Sequence, residues 1–385
     1  MTAIADQLGW DTSGGPEAEL WLGAHAGSPS RILRPDLASG ATNLEEWISA
    51  HPEDALGESG HRLSFLMKLL AAGSPLSLQA HPTAAQARSG FQRENEAGVP
   101  LTAAHRNYKD EYPKPELIFA LSATFDALCG FRRIAEFSAI VEQLGALAPE
   151  AEQVVLRDLS RRATGSEPLR TTVSWLLQGG PDVERLVRVV SALGAHPAAV
   201  GIPGMIIVST LARAYPGDAG IVVSLLLNHV TLKRGEVLYL PAGNIHAYVE
   251  GLGIEVMASS DNVLRGGLTP KHVDVPELMS VLDFREQPVP YLAPTHAAPG
   301  LDVFTPDVDD FRLVHYDGRN EDAGGSWPLN GPAIAICTEG IATLTGADSG
   351  TFGIARGESV YITPRETFVS FSGPGEVFLA TTGGV

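Results

Sequence analysis

A mainly β protein with a helical insertion is what the sequence predicts, and three observations predict it. Short β-rich runs alternate with Gly, Pro, Asp and Asn turns from about residue 221 to the C-terminus, the pattern of a barrel or sandwich. Between Ile134 and Ala214 the apolar residues instead recur at helical spacing, with strand-like sequence on both sides. A strand-turn segment also occurs twice, as Arg234-Gly235-Glu236-Val237-Leu238-Tyr239-Leu240-Pro241 and, with one added residue, as Arg356-Gly357-Glu358-Ser359-Val360-Tyr361-Ile362-Thr363-Pro364. Repetition of one unit suggests two related β domains.

Taken in order, Asn43 and Glu46 stand at capping-box spacing before Trp47 and Ile48, which predicts a short helix within 43–57. The apolar stretch Leu63 to Leu78 is interrupted by Gly73, Ser74 and Pro75, so it reads as two strands joined by a turn. Thr83 and Gln86 form a second capping-box pair, so a helix should begin directly behind His81, leaving His81 at a strand end. Leu117 to Leu121 reads as a strand before the helical block. Within the block Ile134, Phe137, Val141 and Leu144 share one helical face, as do Val183, Leu186, Val187 and Val190. Ile221 to Leu227 reads as a strand after it. The resulting division is 1–130 with 216–290 as one discontinuous β domain, 131–215 as a helical insertion, and 291–385 as a C-terminal β domain.

Composition narrows the function classes. At 385 residues the chain exceeds the usual size of a single core, and 44% hydrophobic against 19% charged residues is ordinary for a globular protein. No apolar run reaches membrane-spanning length, and the first ten residues do not form a signal peptide, so a cytoplasmic location is expected. Lys and Arg number 27 against 45 Asp and Glu, a formal net charge of −18. That charge opposes a nucleic-acid or anionic-membrane partner, and an anionic substrate would need a local basic pocket. Cys129 and Cys337 lie in apolar surroundings and are expected to be buried packing residues. A monomer is expected.

Gln79 and His81 are two apart in an apparent strand and can face one point. Glu116 opens another strand, and His246 is expected in a turn after a third. Two imidazoles, a carboxylate and an amide oxygen suit Zn²⁺, with Mn²⁺, Co²⁺ and Fe²⁺ sharing the preference. Spacing alone does not join these four residues.

Sequence words join them. Gly235, Pro241, Gly243 and His246 match the second motif of the cupin superfamily. Ser77-Leu78-Gln79-Ala80-His81-Pro82, Tyr112-Pro113-Lys114-Pro115-Glu116, Pro241-Ala242-Gly243-Asn244-Ile245-His246-Ala247-Tyr248 and the stretch from Gly253 to Arg265, in this order, resemble the type I mannose-6-phosphate isomerases, also called phosphomannose isomerases. The early Ala18-Glu19-Leu20-Trp21-Leu22-Gly23-Ala24-His25 extends the likeness over most of the chain. The resemblance implies a catalytic cupin (jelly-roll) barrel, an α-helical domain and a second, metal-free cupin-like β domain with a packing role. It implies one zinc ion held by Gln79, His81, Glu116 and His246, and the interconversion of mannose 6-phosphate and fructose 6-phosphate through an enediol.

By the same resemblance Arg265 corresponds to a catalytic arginine, and Ser77, Arg265 and Lys271 to phosphate-contacting positions. For proton transfer, which a well-placed acid or base accelerates on the order of 10²–10⁴-fold, Lys114, Glu255 and Asp261 are equal candidates. Gly266 and Gly267 suggest a backbone shaped around something. Two departures are visible. Family members usually carry an aromatic-x-Trp-Gly sequence ahead of the stretch that Thr2 to Ala5 resembles, and Trp10 is not its equivalent. Gln79 stands where cupins commonly have His. Two alternatives follow: a mononuclear iron(II) oxygenase, from the two-His-one-carboxylate set, and a non-catalytic sugar-phosphate-binding protein, from the shortened start.

Overall fold

In the computed structural model, which describes residues 2–57 and 61–383, helices and antiparallel sheets share the chain. One long strand organises the first half of the architecture. His246–Ala258 spans two layers: its later half pairs with Phe65–Ala72 and Glu116–Ala120, its beginning with Leu78–Ala80 and Thr124–Phe131. It changes layer near Gly251, whose backbone is left-handed (φ 139°) and lies so close to Phe125 that a Cβ would sit 2.6 Å from the ring. Only glycine meets both demands. Thus Phe65–Ala72 and Leu78–Ala80, the two strands expected in the Leu63–Leu78 stretch, do not form a hairpin with each other. They pair with opposite halves of one long partner.

Glu19–Leu22 and Val237–Leu240 complete the first layer, and Leu264–Gly267 and Leu227–Lys233 the second. The helix behind His81 is Ala84–Glu96, and its Thr83–Gln86 capping box is formed in both directions. Asn43 caps Leu44–Ala50 by accepting from the Glu46 N–H, and a second short helix, Pro52–Leu56, follows.

The helical block holds Ile134–Leu147, Gln153–Arg162, Pro168–Gln178, Pro181–Gly194 and Met205–Ala214. Its apolar faces merge with Leu78, Ala80, Leu128, Ile245 and Leu264 from the second layer in one core. The expected strand at Ile221–Leu227 is a correction. Gly220–Val223 is a helical turn and Ser224–Leu226 a 3₁₀ turn, and the strand begins only at Leu227. Every residue there is buried, and a continuously apolar run carries no period that separates strand from buried helix.

The last hundred residues form two sheets. Six strands are ordered Thr295–Ala298, Leu301–Phe304, Arg312–Asp317, Glu376–Thr381, Ala333–Glu339 and Ser359–Ile362. Four are ordered Gly325–Pro328, Phe368–Ser372, Ile341–Gly346 and Thr351–Ala355. One face of the larger sheet packs on the smaller through Val303, Val314, Ala335 and Leu379. Its other face packs on the first layer through Phe304, Leu313, Ile336 and Phe378, with Phe119 between Phe304 and Phe378 at centroid distances of 5.8 and 4.8 Å. Both copies of the repeated segment turn on a left-handed glycine, Gly235 (φ 90°) and Gly357 (φ 84°), and run into a strand. Cys129 and Cys337 are buried free thiols, as expected. No helix among the described residues is long and apolar enough to cross a membrane.

Candidate metal centre

The two layers bring three separate strand ends to one point. Leu78–Ala80 carries Gln79 and delivers His81 just past its end, Glu116 opens its strand, and His246 is the first residue of the long strand rather than part of the turn before it. Gln79 faces His246 in register. One donor atom from each of His81, Glu116 and His246 lies within 4.8 Å of the others, and all three side chains are buried. His246 Nε2 is 3.1 Å from Glu116 Oε2, and His81 Nε2 is 3.3 Å from Glu116 Oε1.

Both imidazoles are fixed from behind. His81 Nδ1 lies 2.7 Å from the Asn262 carbonyl oxygen and His246 Nδ1 3.0 Å from that of Asn244. A carbonyl only accepts, so in the neutral ring each Nδ1 carries the proton and each Nε2 turns a lone pair toward the carboxylate. Burial pushes the His81 pKa down to about 4, so its ring is neutral near pH 7. Burial would raise the Glu116 carboxyl, but the Lys114 ammonium, 2.9 Å away, leads the contacts that together outweigh it and hold the group well below its usual range. His81 Nε2 makes no hydrogen bond among the described residues. Two imidazole Nε2 atoms facing an ionised carboxylate are a donor set that a divalent cation satisfies.

Gln79 reaches the same point through its side-chain amide. Its amide nitrogen is turned to His246 Nε2 at 3.2 Å, where it can donate to that lone pair. Around the cluster, Lys68 Nζ is 3.0 Å from Glu255 Oε2, its register partner, and 3.7 Å from Glu19. Burial raises the Glu255 pKa, Lys68 opposes the rise and Glu116 adds to it. Asp261 is paired with His25 at 2.8 Å. Arg265 lies opposite Gln79, half-buried, with no ion pair or hydrogen bond from its guanidinium among the described residues. Ser77 precedes Leu78, which pairs with Gly267, so it shares an end of the sheet with the loop carrying Lys271. Lys271 itself is exposed and stands outside the buried cluster. The glycines beside Arg265 are shaped by protein: a Cβ on Gly267 would meet Asp218 at 2.8 Å and Gly220 at 3.2 Å, and one on Gly266 would meet Leu278 at 3.2 Å.

Known proteins share this arrangement over nearly the whole chain. A family model described as phosphomannose isomerase type I, catalytic domain, matches residues 2–134. Mannose-6-phosphate isomerase of Escherichia coli (strain K12) is 36% identical over 382 residues, spanning 98% of this chain and 94% of its own length. The chain belongs to the type I phosphomannose isomerase family. The Salmonella typhimurium enzyme is 40% identical over 370 residues, covering 94% and 90% of the two chains. A crystal structure of mannose 6-phosphate isomerase bound with zinc and yttrium superposes with a TM-score of 0.85 at 34% identity, over 99% of this chain and 95% of that one.

Sequence reasoning assigned no role to Lys68, Glu19, Trp21 or His25. Lys68 had a signal, a single cation in the otherwise apolar Phe65–Ala72. The others lie within the early word Ala18 to His25, whose residues meet their partners only through the fold.

Proposed function

We propose that this chain is a zinc-dependent mannose-6-phosphate isomerase that moves a proton between adjacent sugar carbons through an enediol. The observation that carries the reading is the convergence of His81, Glu116 and His246, with both Nε2 lone pairs aimed at one carboxylate. These three would hold the zinc ion, with Gln79 as a fourth ligand once its amide turns. Bound there, zinc supplies a Lewis acid for sugar oxygens.

The remaining steps belong to side chains. Glu255 is nearly fully buried, and its raised pKa brings it toward the range in which a carboxyl both takes and gives a proton. That supports Glu255, with Lys68 beside it, as the proton carrier. Lys114 is committed to Glu116, and Asp261 is held as a carboxylate, so each has a different part. Arg265 keeps its donors free for enediolate charge or phosphate. Ser77 and Lys271 would hold the phosphate, anchoring the substrate by a group remote from the reacting carbons. The same reading makes 1–130 with 216–290 the catalytic cupin barrel, supported by the long strand shared between two layers. It makes 131–215 a helical domain and 291–385 a cupin-like domain without a metal.

A coupled assay converting mannose 6-phosphate to fructose 6-phosphate, with and without chelator, tests the reading. Activity that vanishes with chelator and returns with zinc is expected, as is joint loss of metal and activity in His246→Ala and Glu116→Ala. Stoichiometric zinc retained at full affinity in either variant would remove that residue from the ligand set. Oxygen uptake with bound iron, or sugar-phosphate binding without turnover, would overturn the assignment.

A further inference from the structure

The strand Glu19–Leu22 pairs with Phe65–Ala72 at the edge of the first layer, and the turn after it carries His25. From Glu255 a continuous chain of contacts leads to that turn. Glu255 meets Lys68, Lys68 Nζ lies 5.0 Å from the Trp21 ring centre, and the Trp21 ring meets His25 edge-on at 4.8 Å. His25 then reaches Asp261, Nε2 to Oδ2, at 2.8 Å. The chain thus runs from the proposed proton carrier to a half-exposed carboxylate.

His25 has little freedom. Its Nδ1 accepts the backbone N–H of Gly27 at 3.0 Å, so in the neutral ring the proton sits on Nε2, which donates to Asp261. The ring lies so close that a Cβ on Gly27 would stand 3.1 Å from Nδ1 and 3.2 Å from Cε1. Asp261, by contrast, has a half-exposed side chain on a short loop. Its backbone N–H is held by Asp110 Oδ2 at 2.9 Å, and the next residue, Asn262, supplies the carbonyl that orients His81. The loop is therefore fixed to the metal centre, while the carboxylate at its tip is fixed by His25. More than any other contact, the His25 hydrogen bond keeps the Asp261 carboxyl below its usual range, and the charges of Lys114 and Lys68 act in the same direction. An ionised carboxylate with one oxygen engaged still has lone pairs for a hydroxyl donor, and it is a poor base for a carbon-bound proton.

We infer that His25 is a positioning residue of the isomerase: it holds the half-exposed Asp261 carboxylate, next to the residue that orients His81, as an acceptor for a hydroxyl of the sugar phosphate. The inference rests on the proposed function and assigns a substrate contact within it. A hydroxyl gripped equally in the ground and transition states affects KM rather than kcat.

Steady-state kinetics on the zinc-loaded enzyme with mannose 6-phosphate test it, alongside zinc content and Tm. His25→Ala should raise KM about tenfold, the scale of one charge-assisted hydrogen bond, with kcat changed by less than about threefold. Its zinc content and Tm should stay at wild-type values, because the residue bonds none of the proposed ligands. Asp261→Asn should raise KM similarly, and His25→Ala should add less than about twofold in that background. His25→Gln, whose amide N–H can replace Nε2–H, should restore KM to within about threefold of wild type. An unchanged KM in His25→Ala, or independent effects of the two substitutions, would overturn the inference while the isomerase activity stands. If His25→Ala loses zinc or folds poorly, Gly27→Ala keeps the imidazole but crowds it, and a wild-type KM there would overturn the inference equally. Absence of isomerase activity in the wild type would instead remove the function on which it rests.

Discussion

At the scale of single residues, usefulness is set by neighbours rather than by type. His81 and His246 are ready to bind a cation because two backbone carbonyls take their Nδ1 protons, and neither carbonyl is visible as a motif. Arg265 is the converse case, a half-buried guanidinium with no carboxylate to neutralise it among the described residues. Leaving a cation partly desolvated and unpaired costs stability, so it is retained where an anion arrives later. Arg265→Ala should therefore lower kcat about 100-fold or more, the scale of removing one preorganised donor to developing charge. Zinc content should be unchanged, since the guanidinium bonds none of the proposed ligands. Kinetics with metal analysis on the same preparation check this, and an unchanged kcat would take Arg265 out of the reaction. The residues of the candidate metal centre were legible because they sit in distinctive words. His25, Lys68 and Glu19 were not, because each acquires meaning from a cross-strand or loop partner, 236 residues away in the case of His25 and Asp261.

At the scale of elements, local chemistry that sits on exposed or half-exposed sequence was readable, and fully buried sequence was not. The Thr83–Gln86 capping box predicted the start of Ala84–Glu96 to the residue, because capping needs specific side chains at fixed spacing. The helical block declared itself through its 3.6-residue period. By contrast, Ile221–Leu226 is buried throughout and gave no period, so a helical turn was read as strand. The strands Phe65–Ala72 and Glu376–Thr381 are likewise buried on both faces, which hid the sheet-on-sheet packing behind simple apolar runs. The cap matters to the centre because Thr83 stands two residues after His81. Thr83→Ala removes the acceptor for the Gln86 N–H and should cost about 1 kcal/mol in urea unfolding of the metal-free protein. The metal-loaded protein should keep full zinc stoichiometry, since His81 is held separately by Asn262 and by its strand. A loss well above that scale would show that the helix start also fixes the ligand.

For the whole molecule, the decisive feature is that the C-terminal sheet completes a core begun by the first layer, with Phe119 inserted between Phe304 and Phe378. At the edge of that contact Glu376 is buried with three partners in reach. Arg234 Nη2 donates to both carboxylate oxygens at 2.9 and 2.8 Å, Thr338 donates at 2.7 Å, and His315 lies 3.2 Å away. Arg234 comes from the first copy of the repeated segment, so that turn ties the two β regions together as well as opening a strand. Burial pushes the Glu376 carboxyl up, but the hydrogen bonds from His315 and Thr338 and the Arg234 charge outweigh it and hold it below its ordinary 4.5. With a folded value below the unfolded one, the unfolded chain binds the extra proton, so this stabilisation is complete above about pH 4.5 and fades as pH falls through the folded value. Glu376→Gln should therefore destabilise the protein by on the order of 2 kcal/mol at pH 7, leaving Arg234 without its counter-charge. Because the variant has no carboxylate to protonate, the gap to wild type should narrow below about pH 4.5. Urea unfolding of both proteins at pH 7 and at successive values below 4.5 measures the gap, and a gap that stays constant across that range would show that the contact works through packing rather than charge.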